Sequence, residues 1–192
     1  MSGPWLVVVD GQRIFADPAS DWGSPLWPDA LRNIASLLPH FEGRTILTRW
    51  VPPARRPGSW EAYMRAWPFA DRPPDDPYFD LVDELADVGA PVVDAPTFGK
   101  WEALSGLTGP TPTLVLTGVA TDCCVISTAL PAADAGATIT LLSDACAGST
   151  VENQAAALTV LGLYPPQITV LTTAAYLQGV AEVHPPHLVQ SF

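Results

Sequence analysis

The chain has 192 residues, 48% of them hydrophobic, and a formal net charge of −11. Such a length suits one domain with a full core, and such a composition excludes global disorder. The acidity, with no basic stripe interleaved with aromatics, excludes a nucleic-acid partner.

No apolar run reaches the roughly 18 residues that a bilayer span needs, so no membrane partner is expected. Met1-Ser2-Gly3-Pro4 leads straight into the first strand candidate, with no signal-peptide pattern. Three cysteines, two of them adjacent, make neither a disulfide framework nor a C-x-x-C pair. His40, His184 and His187 are scattered, and the last two fall in a proline-rich tail where they read as solvated. A cytoplasmic, reducing location without a metal site is expected.

Along the chain, Trp5–Val9 is a continuous apolar run that predicts a buried strand ending at Asp10. Pro28–Leu38 carries the first helical pattern, and Thr45–Thr48 predicts a second strand running into Arg49 and Trp50. Between Val51 and Tyr78 seven prolines break every periodicity, and Trp60 and Trp67 punctuate the segment. A proline-rich lid or insertion over about 51–78 is therefore expected, on the edge where strand two ends. Arg49, Arg55, Arg56 and Arg65 either meet a substrate carboxylate or decorate an exposed loop. Trp22 to Trp27, similarly, either bury against a partner or line a pocket.

Phe79–Val88 repeats apolar residues at helical spacing through Leu81, Leu85 and Val88. Pro91–Val93, Thr113–Thr117, Thr138–Leu142 and Gln167–Leu171 predict four more strands, with helices over Cys124–Ala135 and Val151–Leu161. The alternation predicts an α/β fold: a three-layer α/β/α sandwich, Rossmann-like, around a six-stranded parallel sheet, as a single domain over 1–192. Ligands of such sheets sit beyond the carboxyl ends of the strands. Asp10 and Cys124 converge there, and Ser143-Asp144 ends the fifth strand on the same edge.

The segment Gly118-Val119-Ala120-Thr121-Asp122-Cys123-Cys124-Val125 joins a buried strand to a helix. A thiol at a helix N-terminus is favoured as thiolate, and the free N–H groups there can receive an oxyanion. The alternative is that Cys124 is a small apolar core residue. Asp10 emerges from four apolar residues, where a partly desolvated carboxylate becomes a better proton acceptor, although an Asp at a strand end also serves as a turn former. Lys100 is the only lysine, beside eight arginines. It is either a surface residue or a compact ammonium kept for the site.

Together, Val9-Asp10-Gly11-Gln12, Phe98-Gly99-Lys100-Trp101, Gly118 to Val125 and Leu142-Ser143-Asp144-Ala145 resemble the isochorismatase-like cysteine hydrolases over nearly the whole chain. The resemblance implies a triad of Asp10, Lys100 and Cys124, with Lys100 lowering the thiol's pKa and holding Asp10. It further implies a cis peptide between Val119 and Ala120 that sets the Ala120 N–H beside the Cys124 N–H as an oxyanion hole. Cys123 occupies the variable position and reads as structural. Gln12, Phe15, Arg49, Trp50 and Trp101 are the candidates for binding a small-molecule substrate.

Family members that use a metal carry Asp-x-His after strand two, where this chain has Thr48-Arg49-Trp50-Val51-Pro52-Pro53. The expectation is a cofactor-free, metal-independent hydrolase of amide or carbamoyl C–N bonds, assembled as a dimer or tetramer. Two alternatives stand beside it: a vinyl-ether hydrolase with Asp10 as general acid, and a binding protein without turnover. A dinucleotide-binding domain is excluded, since no Gly-x-Gly-x-x-Gly follows strand one.

Overall fold

Leu6, Val7, Val8 and Val9 have no exposed surface because their strand, β1 (Trp5–Val9), lies inside a sheet covered on both faces. The other strands are β2 (Thr45–Trp50), β3 (Val92–Ala95), β4 (Thr113–Val119), β5 (Thr138–Ala147) and β6 (Ile168–Leu171). All pair in parallel, in the order β3-β2-β1-β4-β5-β6. This is the α/β sandwich that the alternation predicts. The computed structural model describes residues 3–179, so His184 and His187 lie outside the described residues.

Alternate side chains of β1 feed two separate cores. Leu6 and Val8 join Ile34, Leu37 and Leu47 on one face, and Val7 and Val9 join Leu116, Ala129 and Leu161 on the other. The helices are α1 (Arg13–Ala16), α2 (Trp27–Leu37), α3 (Trp60–Ala66), α4 (Asp83–Ala86), α5 (Trp101–Thr108), α6 (Ile126–Asp134), α7 (Val151–Leu161) and α8 (Thr173–Leu177). On the first face α2 packs Ala30, Ile34 and Leu37. The second is covered by α5, α6 and α7, through Leu104, Ala129, Ala132 and Leu161. Among the described residues no helix is long and apolar enough to cross a membrane.

Several boundaries differ from the sequence reading, each for a traceable reason. Strand β4 continues past Thr117 because its hydroxyl donates to the Val7 carbonyl at 3.0 Å, which satisfies a buried polar group. Strand β5 continues through Ser143-Asp144 in the same way. Ser143 donates to the Leu171 carbonyl, and Asp144 Oδ1 accepts from the Thr173 backbone N–H at 2.7 Å at the start of α8. Asp144 thus holds a helix terminus rather than a reactive edge.

The predicted helix over Phe79–Val88 shrinks to α4. Leu81 pairs with Gln12 in a β-bridge, and the Val82 N–H donates to the Gly11 carbonyl, so extended backbone displaces the first helical turns. Conversely, the proline-free stretch inside 51–78 forms α3, with Met64 buried in the first core.

Gly118 opposes Val9 at the carboxyl end of both strands, with φ 111. A Cβ there would lie 2.1 Å from the Val9 carbonyl oxygen. Gly118→Ala is expected to cost more than about 3 kcal/mol in urea denaturation, from backbone strain and overlap together. Gly106→Ala, in an open position of α5, is expected to stabilise by about 0.5–1 kcal/mol. A Gly118→Ala protein within about 1 kcal/mol of the parent would show that β1 and β4 do not approach so closely.

Candidate active site

The strand order reverses between β1 and β4, and a crevice opens beyond their carboxyl ends. Asp10 is the first residue beyond β1, at φ 49, a left-handed conformation that Asp reaches more readily than most residues. Its backbone N–H donates to Thr48 Oγ1 at 3.1 Å, and the same hydroxyl donates to Asp10 Oδ1 at 2.7 Å. The second oxygen, Oδ2, lies 3.1 Å from Lys100 Nζ, off the line of a hydrogen bond, and has no hydrogen-bonding partner. Both side chains are completely buried.

Lys100 arrives from the turn after β3. Its ammonium donates to the Thr97 carbonyl at 2.6 Å, and its backbone N–H donates to Thr128 Oγ1 at 3.0 Å. The Thr128 hydroxyl in turn donates to the Cys124 carbonyl at 2.7 Å. A single threonine of α6 thereby ties the lysine's backbone to that of the cysteine. Gly99 permits this approach, since a Cβ there would lie 2.5 Å from the Ser127 carbonyl oxygen. Thr48 and Thr128 do not stand out in sequence, because buried threonines in strands and helices are common and only the contacts reveal their role.

Cys124 lies in a π turn, Thr121–Val125, that precedes α6. The peptide between Val119 and Ala120 is cis. Val119 is buried in the core, while the Ala120 carbonyl accepts from the N–H groups of Cys123 and Val125. Ala120, Cys123 and Cys124 line a cavity of about 300 Å³. Its walls are six aromatic side chains: Phe15, Trp22, Trp50, Tyr63, Trp67 and Phe98. Asp21 and Ser149 supply polar lining.

The ionisation of the thiols reverses the sequence expectation. Hydrogen bonding with the Cys123 side chain, burial and the Asp10 carboxylate push the Cys124 thiol well up, and the Lys100 ammonium only partly opposes them. The Cys123 thiol is lowered by hydrogen bonding with Cys124. Cys123 is thus no inert neighbour: it is partly exposed and lines the cavity. Burial pushes Cys146 up, and it lies away from the cavity.

Of the binding candidates, Phe15 and Trp50 line the cavity. Gln12 is fully buried and acts as a staple, accepting from the Trp50 N–H and donating to the Trp50 and Phe79 carbonyls. Arg49 is committed to Asp94 by two bonds of 2.7 Å and faces Asp80, outside the cavity. Trp101 packs against the second core instead. Within 51–78, Arg56 pairs with Asp71, and Arg55 and Arg65 are exposed away from the cavity. Trp22 settles into the cavity wall, while Trp27 is buried in the first core. Among the described residues no group of three or more His, Cys, Asp or Glu side chains is placed to hold a metal.

A family model, the isochorismatase domain, matches residues 4–175. The chain belongs to the isochorismatase family. Solved structures of similar fold include an isochorismatase-like hydrolase from Alkaliphilus metalliredigens, at 20% identity and TM-score 0.74, covering 93% of this chain and 98% of that one. A cysteine hydrolase from Pseudomonas syringae pv. phaseolicola shares 18% identity at TM-score 0.72, over 91% of each chain. A pyrazinamidase/nicotinamidase from Streptococcus mutans shares 19% at TM-score 0.67, over 88% of this chain and 100% of that one. Among curated proteins none matches the chain.

Within this isochorismatase-family site the thiol environments predict an order of reactivity. At neutral pH iodoacetamide is expected to label Cys123 before Cys124, and Cys146 last, as read by peptide mass spectrometry. Asp10 raises both Cys123 and Cys124, so Asp10→Asn is expected to move both alkylation profiles to lower pH. A Cys124 that titrates below Cys123 in the parent protein would contradict this electrostatic picture.

Proposed function

We propose that this isochorismatase-family hydrolase is metal-independent and cleaves a C–N bond, amide or carbamoyl, of a small molecule through an acyl-thioester on Cys124. The observation that carries this reading is the unpartnered Oδ2 of Asp10, buried beside an ammonium next to a cavity lined by a thiol. With Oδ1 bound by Thr48 and Oδ2 held only by its ion pair with Lys100, the carboxylate can take one proton.

Hydrogen bonding with Cys123, burial and Asp10 push the Cys124 thiol up, so in this reading Asp10 Oδ2 takes its proton as sulfur adds to the substrate carbonyl carbon. Lys100 keeps the carboxylate in place and offsets its charge while it is unprotonated. The backbone N–H groups of Ala120 and Cys124 receive the oxyanion. Collapse breaks the C–N bond, and Asp10 passes its proton to the departing nitrogen, which leaves as amine or ammonia. Water then adds to the thioester, losing a proton to Asp10, and that proton returns to sulfur as the carboxylic or carbamic acid departs. A thiol of raised pKa suits this cycle, because its thiolate is more nucleophilic once formed. The side chains at the end of β2 (Thr48, Arg49 and Trp50) include no zinc or iron ligand, and Thr48 and Arg49 are already engaged with Asp10 and Asp94.

The test is turnover of a panel of small amides and ureido compounds, with acid-quenched intact-protein mass spectrometry. An acyl adduct is expected on Cys124 in the parent. In Cys124→Ala both the adduct and turnover should vanish, with kcat lowered about a thousandfold or more, whereas Cys123→Ala should keep the adduct. A Cys124→Ala protein that retains most activity would remove the thioester and leave Asp10 as the general acid of an ether hydrolase.

A further inference from the structure

The non-reacting walls of the cavity carry information that the reacting residues do not. Trp22 is the hub of an aromatic shell. It meets Trp50 edge-on at 5.3 Å, Phe69 at 5.1 Å and Trp67 at 5.7 Å, and it stacks on Phe15 at 6.0 Å. Tyr63, from helix α3, meets both Trp22 at 6.1 Å and Phe98 at 5.4 Å. Rings paired edge-to-face leave some of their faces uncovered, and an aromatic face is the negative side of the ring's quadrupole. Tertiary and quaternary ammonium groups are bound in cages of this kind.

Charge points the same way. Asp21, itself exposed, is the one Asp, Glu, His, Lys or Arg side chain lining the cavity among the described residues. No described arginine or lysine lines it, and residues 180–192 contain neither. Lys100 lies outside the lining with its charge set against Asp10. Of the arginines nearest in sequence to the lining, Arg49 is held by Asp94 and Arg13 by Asp83, and Arg65 is exposed outside the lining. A carboxylate entering this space would lose water without meeting a cation, whereas an ammonium would meet π faces and Asp21. The net charge of −11 adds a long-range attraction of the same sign.

We propose that the substrate bears, beyond its scissile bond, an aromatic or N-alkylated group of positive charge, and that the cavity discriminates against carboxylates. The bond cleaved is taken from the amidohydrolase reading, but the charge preference rests on the walls alone. Substrates anchored by a carboxylate, dicarboxylic enol ethers included, fall outside the class.

Three probes without an acyl C–N bond separate the two readings: benzyltrimethylammonium, benzyl alcohol and phenylacetate, titrated calorimetrically into the parent protein. Benzyltrimethylammonium is expected to bind about tenfold or more tightly than benzyl alcohol, and phenylacetate about tenfold or more weakly. The ammonium probe should also slow iodoacetamide labelling of Cys123, which places it in the cavity. Asp21→Asn should lower the ammonium's advantage several-fold and leave benzyl alcohol unchanged. Phenylacetate binding as well as the alcohol, ammonium binding without protection of Cys123, or no ammonium binding would each overturn the proposal. The expected order together with no hydrolysis of any amide would overturn the amidohydrolase reading and leave this one standing.

Discussion

A carboxylate and an ammonium, neither with any exposed surface, meet 3.1 Å apart where the sheet reverses its strand order. Such a pair is a poor device for stability. Removing two charges from water costs as much as their attraction returns, and well-packed apolar residues would serve the core as well or better. Losing one member alone costs about 3–5 kcal/mol, since the other is left buried and uncompensated. The pair therefore constrains its surroundings: Thr48 and Thr97 must present oxygen atoms to it, and β1, β2 and the turn after β3 must end in register. Even the left-handed turn at Asp10 follows from aiming the carboxylate back toward Lys100 and Thr48.

Neutralised in this way, the pair separates the chemistry of the site from its selectivity. Lys100 and Asp10 oppose one another, and neither lines the cavity, whose lining carries Asp21 and six aromatic side chains. At close range they do not cancel for Cys124, whose thiol is pushed up by Asp10 more than it is lowered by Lys100. A thiol pushed up by hydrogen bonding with Cys123, by burial and by Asp10 suits proton transfer coupled to attack under the proposed mechanism. Helix α3 serves both the cavity and the core. Its Tyr63 walls the cavity while its Met64 is buried in the first core.

The fold was legible because β1 and β4 carry the unbroken buried apolar runs Leu6–Val9 and Leu114–Leu116, and β5 buries Ile139, Leu141 and Leu142. The polar residues that terminate those runs in sequence do not always terminate the strands. Thr117 and Ser143 find carbonyl partners across the sheet, and such partners have no local signature. Asp10, Lys100 and Cys124 were legible as positions, each following a strand at the ligand edge, and the structure brings them together. What escaped the sequence depends on distant contacts. Arg49 looks available until Asp94, 45 residues away, takes both ends of its guanidinium. Gln12 looks like a ligand contact until the Trp50 and Phe79 backbones occupy its amide. The aromatic wall draws rings from five separate segments, so no window of sequence contains it.

The adjacent thiols sharpen the question of what marks a nucleophile. Hydrogen bonding with Cys124 lowers the Cys123 thiol, which is also the more accessible of the two, and on those grounds it would be chosen. Acidity reports how readily a proton is lost to water, whereas a buried nucleophile loses its proton to a particular atom at a particular moment. Cys124 is backed by Asp10 and Lys100 and tied through Thr128 to the backbone of Lys100. Cys123 feels both charges as well, but no such tie through Thr128 holds it. If the proposed mechanism holds, a substrate that expels water and engages Asp10 makes the less acidic sulfur the reactive one. General reagents such as alkylating agents would then report on the wrong cysteine, because they sample the resting state rather than the substrate-bound one.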